Sequence, residues 1–474
     1  MARYTLKTCW TIVVMTLAAS LNAADRQVAR PNILFLFADD LRGSAIHGQI
    51  DRPVKTPHLD RLASQGLAFP HAYIMGAQNG AVCVASRAML MTGMRLQNIR
   101  RNGHDISPNE ILLGETLGKA GYSTYGIGKW HNGIETYQRS FRDGAEILFG
   151  GMTYDHFNIP LTHYRRDGKY VKGDNKDNPY TDHLYKNRHS SEIFADAAIA
   201  FLKSEKARQP FFMYVAFTAP HDPRHAPQAF YDRYPLDKVK LPENWLPQHP
   251  FDNGHTGRDE VLLPHPRDPE KVRKEIQEYY GIITHMDEQI GRILDALDAT
   301  GAAGNTIVIF AADNGLAVGQ HGLLGKQSLY EHSVNVPLIW RGPGIPVGKR
   351  SPAYVYLTEL FPTVCDMLGI EVPSTVEVKG FLPSLKDPAR SHHQDMYFGF
   401  REMHRAVSDR RYKLIEYNVK GDRHTQLFDL KTDPLEMRNL ADKPEFGDIK
   451  ARLSGRLQDY RKQTGDKGSF WDGF

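Results

Sequence analysis

The sequence predicts an α/β fold: a large domain with a mostly parallel central sheet flanked by helices, then a smaller C-terminal α+β domain with an antiparallel sheet. Three observations carry this reading. Continuous apolar runs of strand length recur at 32–37, 211–217 and 306–312. Segments with helical spacing lie between them. After about residue 373 the pattern changes to short, closely spaced strands.

The run at 32–37 has no polar alternation, the mark of a strand buried on both faces. It ends in Asp39-Asp40. The second run ends in Ala219-Pro220-His221 and the third in Asp313-Asn314-Gly315. Helical patterns at 57–65, 113–120, 192–204 and 269–297 alternate with the strands. In the tail, 396–400, 405–408, 412–417 and 426–430 read as a meander, followed by a helix over about 446–461. The basic stretch 163–172, with Arg165, Arg166, Lys169 and Lys172, reads as a solvated insertion loop.

A chain of 474 residues suits one large and one smaller domain. Arg3 and Lys7 are the only charges in the first 23 residues, so a net charge of +4 leaves +2 on the remainder. That is too little to argue for nucleic acid or an anionic membrane surface. The apolar stretch 9–17 and the small residues around Leu21-Asn22-Ala23 fit a secretory signal. A membrane anchor is the alternative, but the stretch is far shorter than the ~20 apolar residues that a spanning helix needs. The expected organisation is a signal peptide over 1–23, a catalytic domain over 24–373 and a C-terminal subdomain over 374–474. The protein is expected to be exported, periplasmic or extracellular, without stable membrane insertion. Of three cysteines, Cys9 leaves with the signal. Cys365 sits in a helical apolar pattern and reads as core rather than as a disulfide partner for Cys83.

Two adjacent acids at the end of a buried strand are costly unless something positive neutralises them. Either Asp39-Asp40 or Asp313-Asn314 alone reads as a cap or turn. Two such pairs at equivalent strand ends read better as an all-oxygen set for a hard cation, Ca²⁺ or Mg²⁺. The stretch after Cys83 is helical and stops at Gly93, which places Cys83 near a helix N-terminus with Arg87 one turn on.

Cys83-Val84-Ala85-Ser86-Arg87 resembles the motif of the formylglycine-dependent sulfatases, Cys-x-Pro/Ala-x-Arg, in which the cysteine is oxidised to an aldehyde. Position 85 is Ala where most members have Pro. The resemblance extends in the family's order through Asp39-Asp40, the segment from Lys55 to Ala63, Gly128-Lys129-Trp130-His131, Ala219-Pro220-His221, Asp313-Asn314-Gly315 and Gly325-Lys326. It implies an alkaline-phosphatase-like fold and hydrolysis of a sulfate ester. It also implies a formylglycine-generating enzyme as maturation partner.

By the same resemblance, Asp39, Asp40, Asp313, Asn314 and residue 83 hold the ion. Residue 83, as a hydrated aldehyde, attacks sulfur, with Asp313 as proton acceptor and His131 assisting the deprotonation. Arg87 and Lys129 hold the diol and sulfate oxygens, His221 is the general acid, and Lys326 binds the sulfate near the leaving oxygen. The surroundings of the motifs resemble bacterial polysaccharide-degrading sulfatases, so a sulfated sugar is the expected substrate. His104, Asn132, Asp222, Arg224, Arg401 and His404 are candidate sugar contacts, with Glu402 beside the last two. Two rivals stand: a phosphodiesterase or phosphonate monoester hydrolase of the same superfamily, and a catalytically silent glycan-binding relative.

Overall fold

The apolar runs become the middle of an eight-stranded sheet. The computed structural model describes residues 30–46, 53–254 and 257–471; the expected signal segment and its cleavage site lie outside them. The strands of this sheet are β1 (Asn32–Ala38), β2 (Leu67–Ala68), β3 (Ser123–Lys129), β4 (Asp143–Leu148), β5 (Phe211–Ala216), β6 (Thr306–Ala312), β7 (Leu338–Arg341) and β8 (Lys349–Arg350). Their order across the sheet is β8-β2-β7-β6-β1-β5-β3-β4. The five strands from β6 to β4 are parallel, and β7 pairs antiparallel with β6 and β2.

Every residue of β1, β5 and β6 is buried. Burying a side chain of Leu, Ile or Phe size contributes about 1.5–3 kcal/mol each, so these strands anchor the core. Strand β3 carries two glycines and no continuous apolar run. It still sits inside the sheet because Gly126 admits the Tyr137 side chain: a Cβ at 126 would lie 2.7 Å from the Tyr137 hydroxyl.

The helices fall close to where their periodicity puts them: α1 (Pro57–Ser64), α2 (Val82–Thr92), α3 (Leu113–Lys119), α4 (Ser190–Leu202), α5 (Pro269–Ala299), α6 (Leu360–Leu368) and α7 (Gly447–Thr464). Helix α4 begins two residues before its apolar pattern because the His189 ring accepts from the Ser191 N–H and caps it. Helix α5 packs on α1 and α4, and its Asp287 accepts from the backbone N–H of His58 at 3.0 Å and of Leu59 at 2.8 Å. A residue from another helix thus caps α1, whose own N-cap Thr56 makes no side-chain capping bond among the described residues. Cys365 lies in α6, fully buried, and both Cys83 and Cys365 are free thiols.

The C-terminal sheet is the expected meander: β9 (Met396–Phe400), β10 (His404–Ser408), β11 (Tyr412–Val419) and β12 (Asp422–Asp429). Helix α7 packs against β10 and β11 through Leu453 and Leu457. The sheet's fifth strand was not foreseen. Gly76–Ala77 pairs parallel with Gly399 and Phe400. A Cβ at Gly76 would lie 1.9 Å from the Gly399 carbonyl oxygen, so only glycine permits this approach. From Pro31 onward the chain packs as one unit.

Candidate active site

Register brings the acids together. Phe37 pairs with Ala216 and Ala38 with Ala312, so β1, β5 and β6 end at one level. Asp39 and Asp313 are the next residues of their strands, and sites in parallel sheets gather at this rim. Asp40 then takes a left-handed backbone, φ +68°, a conformation Asp tolerates better than most residues. That turn lets its N–H donate to Asp313 Oδ1 at 3.0 Å and swings its carboxylate to the same side as Asp39.

Each acid has its own cation. Lys129 Nζ donates to Asp39 Oδ2 at 2.6 Å. Lys326 Nζ donates to both oxygens of Asp40 at 2.7 and 2.9 Å. Arg87 Nε donates to Asp313 Oδ2 at 2.8 Å, and its Nη1 to the Lys129 carbonyl at 2.8 Å and the Tyr214 hydroxyl at 3.2 Å. All six side chains are buried. Burial and the neighbouring Asp313 push Asp39 up to about 6, against the pull of Lys129 and His221. Asp313 is held below the usual carboxylate range: burial works to raise it, but Arg87, Lys129 and Lys326 prevail.

Three carboxylates facing three fixed cations balance. A divalent ion would leave two positive charges, so the site is built to receive negative charge. The donors suit such an ion. Among the described residues, Asp39 Oδ1 and Asn314 Oδ1 are buried without a hydrogen-bond partner, which is costly unless a ligand satisfies them. Asn314 Nδ2 meanwhile donates to Asp40 Oδ1 at 2.7 Å, keeping its oxygen turned away. Asp39, Asp40 and His221 offer donor atoms within 4.8 Å of one another, as do Asp39, Cys83 and Asp313. An oxygen-rich set of this kind fits Ca²⁺ or Mg²⁺ rather than a softer metal.

Cys83 is the second residue of α2, 3% exposed. Burial pushes its thiol up, although Lys129 and Lys326 pull the other way. A neutral thiol is a poor ligand for a hard cation, yet this one stands in a cage of carboxylate oxygens. Its sulfur lies 3.4 Å from Nδ1 of His131. His131 reaches it through a left-handed backbone, φ +72°, just beyond β3. Burial, with Lys129 and Arg87 beside it, holds the His131 imidazole far below its ordinary range and therefore neutral. His221 presents Nε2 to Asp40 Oδ2 at 3.6 Å, while its Nδ1 donates to the Asp222 carbonyl at 2.8 Å. The structure thus brings together Asp39, Asp40, Cys83, Arg87, Lys129, His131, His221, Asp313, Asn314 and Lys326.

The expected sugar contacts divide. His104 is exposed, its ring edge-on to that of His131 at 6.1 Å. Asp222 is bound by the guanidinium of Arg258, with one contact at 2.7 Å. Arg224 is buried against Glu275 and the Tyr279 ring, and its Nε and Nη2 have no hydrogen-bond partner among the described residues. Arg401 is exposed at the turn after β9, over the Phe400 ring. Two others serve the scaffold. Asn132 is buried and its amide donates to the carbonyls of Val84 and Gly103 at 3.1 and 2.9 Å, bracing the first turn of α2. His404 is fully buried, its Nε2 donating to the Asn253 carbonyl at 2.6 Å. Residues that sequence reasoning missed are Tyr214, Arg258, Asp259 and Gln327. Gln327 Nε2 donates to the Gly80 carbonyl at 2.9 Å and to Asp259 at 2.6 Å, tying the approach to α2 to the Lys326 loop. The side chain of Arg258 is 39% exposed, at the rim beside Asp222 and His221.

A family model described as sulfatase matches residues 31–370, and one described as N-sulphoglucosamine sulphohydrolase, C-terminal, matches 319–463. An arylsulfatase of Clostridium perfringens is 29% identical over 452 residues, covering 88% of this chain and 91% of that protein. An N-acetylglucosamine-6-O-sulfatase of Bacteroides thetaiotaomicron is 25% identical over 530 residues, covering 96% and 90%. The fold matches, with a TM-score of 0.73 and 24% identity, a solved structure in complex with its substrate D-glucosamine-2-N,6-O-disulfate; the match covers 92% of this chain and 99% of that one.

Proposed function

The chain belongs to the sulfatase family and is a sulfuric ester hydrolase, and from that premise we propose that it removes sulfate from a sulfated sugar, with formylglycine made from Cys83 as nucleophile and Ca²⁺ as the ion. The observation that carries this is the place of Cys83. A buried thiol of raised pKa sits within 4.8 Å of the carboxylate oxygens of Asp39 and Asp313, where sulfur has nothing to offer and oxygen has much. Oxidation to the hydrated aldehyde would supply an oxygen nucleophile at that position. A Ca²⁺ ion held by Asp39, Asp40, Asp313 and Asn314 would supply Lewis acidity toward a sulfate oxygen and lower the pKa of a hydroxyl at residue 83.

The protein's own groups do the remainder. His131, neutral and in contact with residue 83, accepts the nucleophile's proton. Arg87 and Lys129 face the nucleophile and hold negative oxygens there. His221 is poised between the Asp222 carbonyl and Asp40. The carbonyl only accepts, so Nδ1 carries a proton; a second on Nε2 makes the imidazolium that protonates the departing alcohol. Lys326 beside it neutralises charge on the leaving side. Uncatalysed sulfate esters hydrolyse slowly, and this division of acid, base and fixed cations is the electrostatic preorganisation such a reaction needs. A sugar as leaving group is supported by the polar rim around His104, Asp222 and Arg258, and by the relative named for N-acetylglucosamine 6-O-sulfate.

Export is part of the same proposal and rests on the segment 1–23; among the described residues no helix is long and apolar enough to cross a membrane. The test is free sulfate released from a panel of sulfated galactose, N-acetylgalactosamine, glucosamine, fucose and uronate sugars, with an aryl sulfate and a phosphate diester alongside. The protein is co-expressed with a formylglycine-generating enzyme and run beside Cys83→Ala. The expected result is release from one sugar class, lost in Cys83→Ala, with the aldehyde mass on the 62–87 tryptic peptide. Diester hydrolysis far faster than sulfate release, or an unmodified thiol in an active preparation, would overturn the reading.

A further inference from the structure

A second cluster of metal-ligating side chains lies outside the active site. Glu359 ends the helical turn Leu357–Glu359 that leads into α6, and His392 and His393 stand in the segment entering β9. One ligand atom from each of the three lies within 4.8 Å of the others. His392 Nε2 is 3.3 Å from Glu359 Oε2, and His393 Nε2 contacts Oε1. The Glu359 side chain is 3% exposed, those of His392 and His393 16% and 31%.

We propose that Glu359, His392 and His393 form a structural binding site for a transition-metal ion of the Zn²⁺ type, separate from the hard-cation site. Two imidazoles and one carboxylate are a borderline-soft donor set, which Zn²⁺ favours and Ca²⁺ does not. Donors ~2.0–2.1 Å from a tetrahedral zinc stand ~3.3 Å from each other; His392 already stands at 3.3 Å from Glu359, and His393, in direct contact with Oε1, would draw back to admit the ion. The carboxylate is held from behind, since Oε2 accepts the Tyr356 N–H at 2.9 Å. The rings are held too: His393 edge-on to Tyr356 at 5.3 Å, and the two imidazoles edge-on to each other at 4.4 Å. A divalent ion would be bound by both imidazoles and the carboxylate at once, with water in the fourth position.

Such an ion would have mechanical consequence. Thr358, adjacent to Glu359, donates to the carbonyls of Met89 and Met94 at 2.9 and 3.1 Å, at the C-terminal end of α2. The ion would clamp the entry to the C-terminal sheet against the seat of the helix that carries residue 83.

The test uses the full chain, stripped with a chelator, returned to millimolar Ca²⁺ to fill the oxygen site, and loaded with Zn²⁺ or Co²⁺. Wild type is expected to retain about one Zn²⁺ per chain through gel filtration, to melt at a higher temperature with Zn²⁺, and with Co²⁺ to show the visible absorption of a four-coordinate site. In H392A/H393A, retained Zn²⁺ is expected to fall at least about tenfold and the melting shift to vanish, while sulfate release persists. No retention by wild type, or equal retention by the double variant, overturns the proposal. If the double variant fails to fold, the Co²⁺ spectrum of wild type decides: a six-coordinate spectrum, or none, overturns it. Metal retention, the melting shift and the Co²⁺ spectrum, which decide the proposal, do not depend on the sulfatase reading; only the persistence of sulfate release does.

Discussion

The sulfur of Cys83 and Nδ1 of His131 stand 3.4 Å apart across 48 residues of chain, and this contact joins the first turn of α2 to the end of β3. Whatever group occupies position 83 has a neutral imidazole in reach. His131→Ala is therefore expected to lower kcat about 100-fold with little change in KM. The aldehyde content of the 62–87 peptide, read by mass, should stay at the wild-type level. Loss of aldehyde in this variant would assign His131 to maturation instead of turnover.

Arg87 spends its guanidinium on three partners at once, Asp313, the Lys129 carbonyl and the Tyr214 hydroxyl. Lysine cannot reproduce that fork. In Arg87→Lys at least one buried partner goes unsatisfied, at about 1–3 kcal/mol. Urea unfolding should show that loss, and turnover should fall by a factor of about 100 or more. A variant with wild-type stability would mean that the three contacts contribute nothing.

Asn132→Ala distinguishes a brace from a sugar contact. Its amide supports Val84 and Gly103 from a buried position, so the variant is expected to lose about 1–3 kcal/mol of stability while KM for the sugar stays unchanged. A rise in KM without a stability loss would return Asn132 to the binding pocket.

Asp287 supplies a pH test away from the active site. Burial pushes its carboxyl up to about 7, with Asp60 and Glu288 adding to this and the His58 and Leu59 N–H groups opposing. The unfolded value lies near 3.8. Between the two, the folded protein holds a proton that the unfolded chain has released, so this group's contribution is complete below pH 3.8 and is lost as pH rises through 7. Its limiting slope is about 1.4 kcal/mol per pH unit. Asp287→Asn removes the titration and one acceptor oxygen. Wild type should be the more stable of the two at pH 5, with the gap closing or reversing by pH 8. A gap constant across pH would show that Asp287 titrates normally.

What the sequence revealed and what it hid follow one physical line. Asp39, Asp313 and Asn314 were legible because acids at the end of a doubly buried strand need a reason. The turn that aims Asp40 was only implied, since a left-handed aspartate leaves no periodic mark. Strand β3 was hidden because its place is secured by glycines that admit Tyr137, not by an apolar run. Asn132 and His404 looked like sugar ligands because polar residues near motifs do. Their partners, the carbonyls of Gly103 and Asn253, lie 29 and 151 residues away, and backbone acceptors cannot be read from residue type. Arg258, Asp259 and Gln327 were missed for a related reason: Arg258 and Asp259 lie in a short 3-10 turn and Gln327 in a loop, and their convergence is purely tertiary. The site core was readable in residue order, and its rim was not.

The two-residue strand Gly76–Ala77 has a temporal implication. Its partners, Gly399 and Phe400, are synthesised more than three hundred residues later, so the ribosome has delivered most of the chain before this stretch can find its place. Position 83 follows it by a few residues, and in the finished fold is 3% exposed, out of reach of any modifying enzyme. On the reading proposed above, oxidation of Cys83 thus belongs to a window that opens when the residue emerges and closes when the last sheet docks. Variants that hasten this docking would leave more thiol and less aldehyde, and an unmodified fraction in any preparation would be a record of chains that closed first.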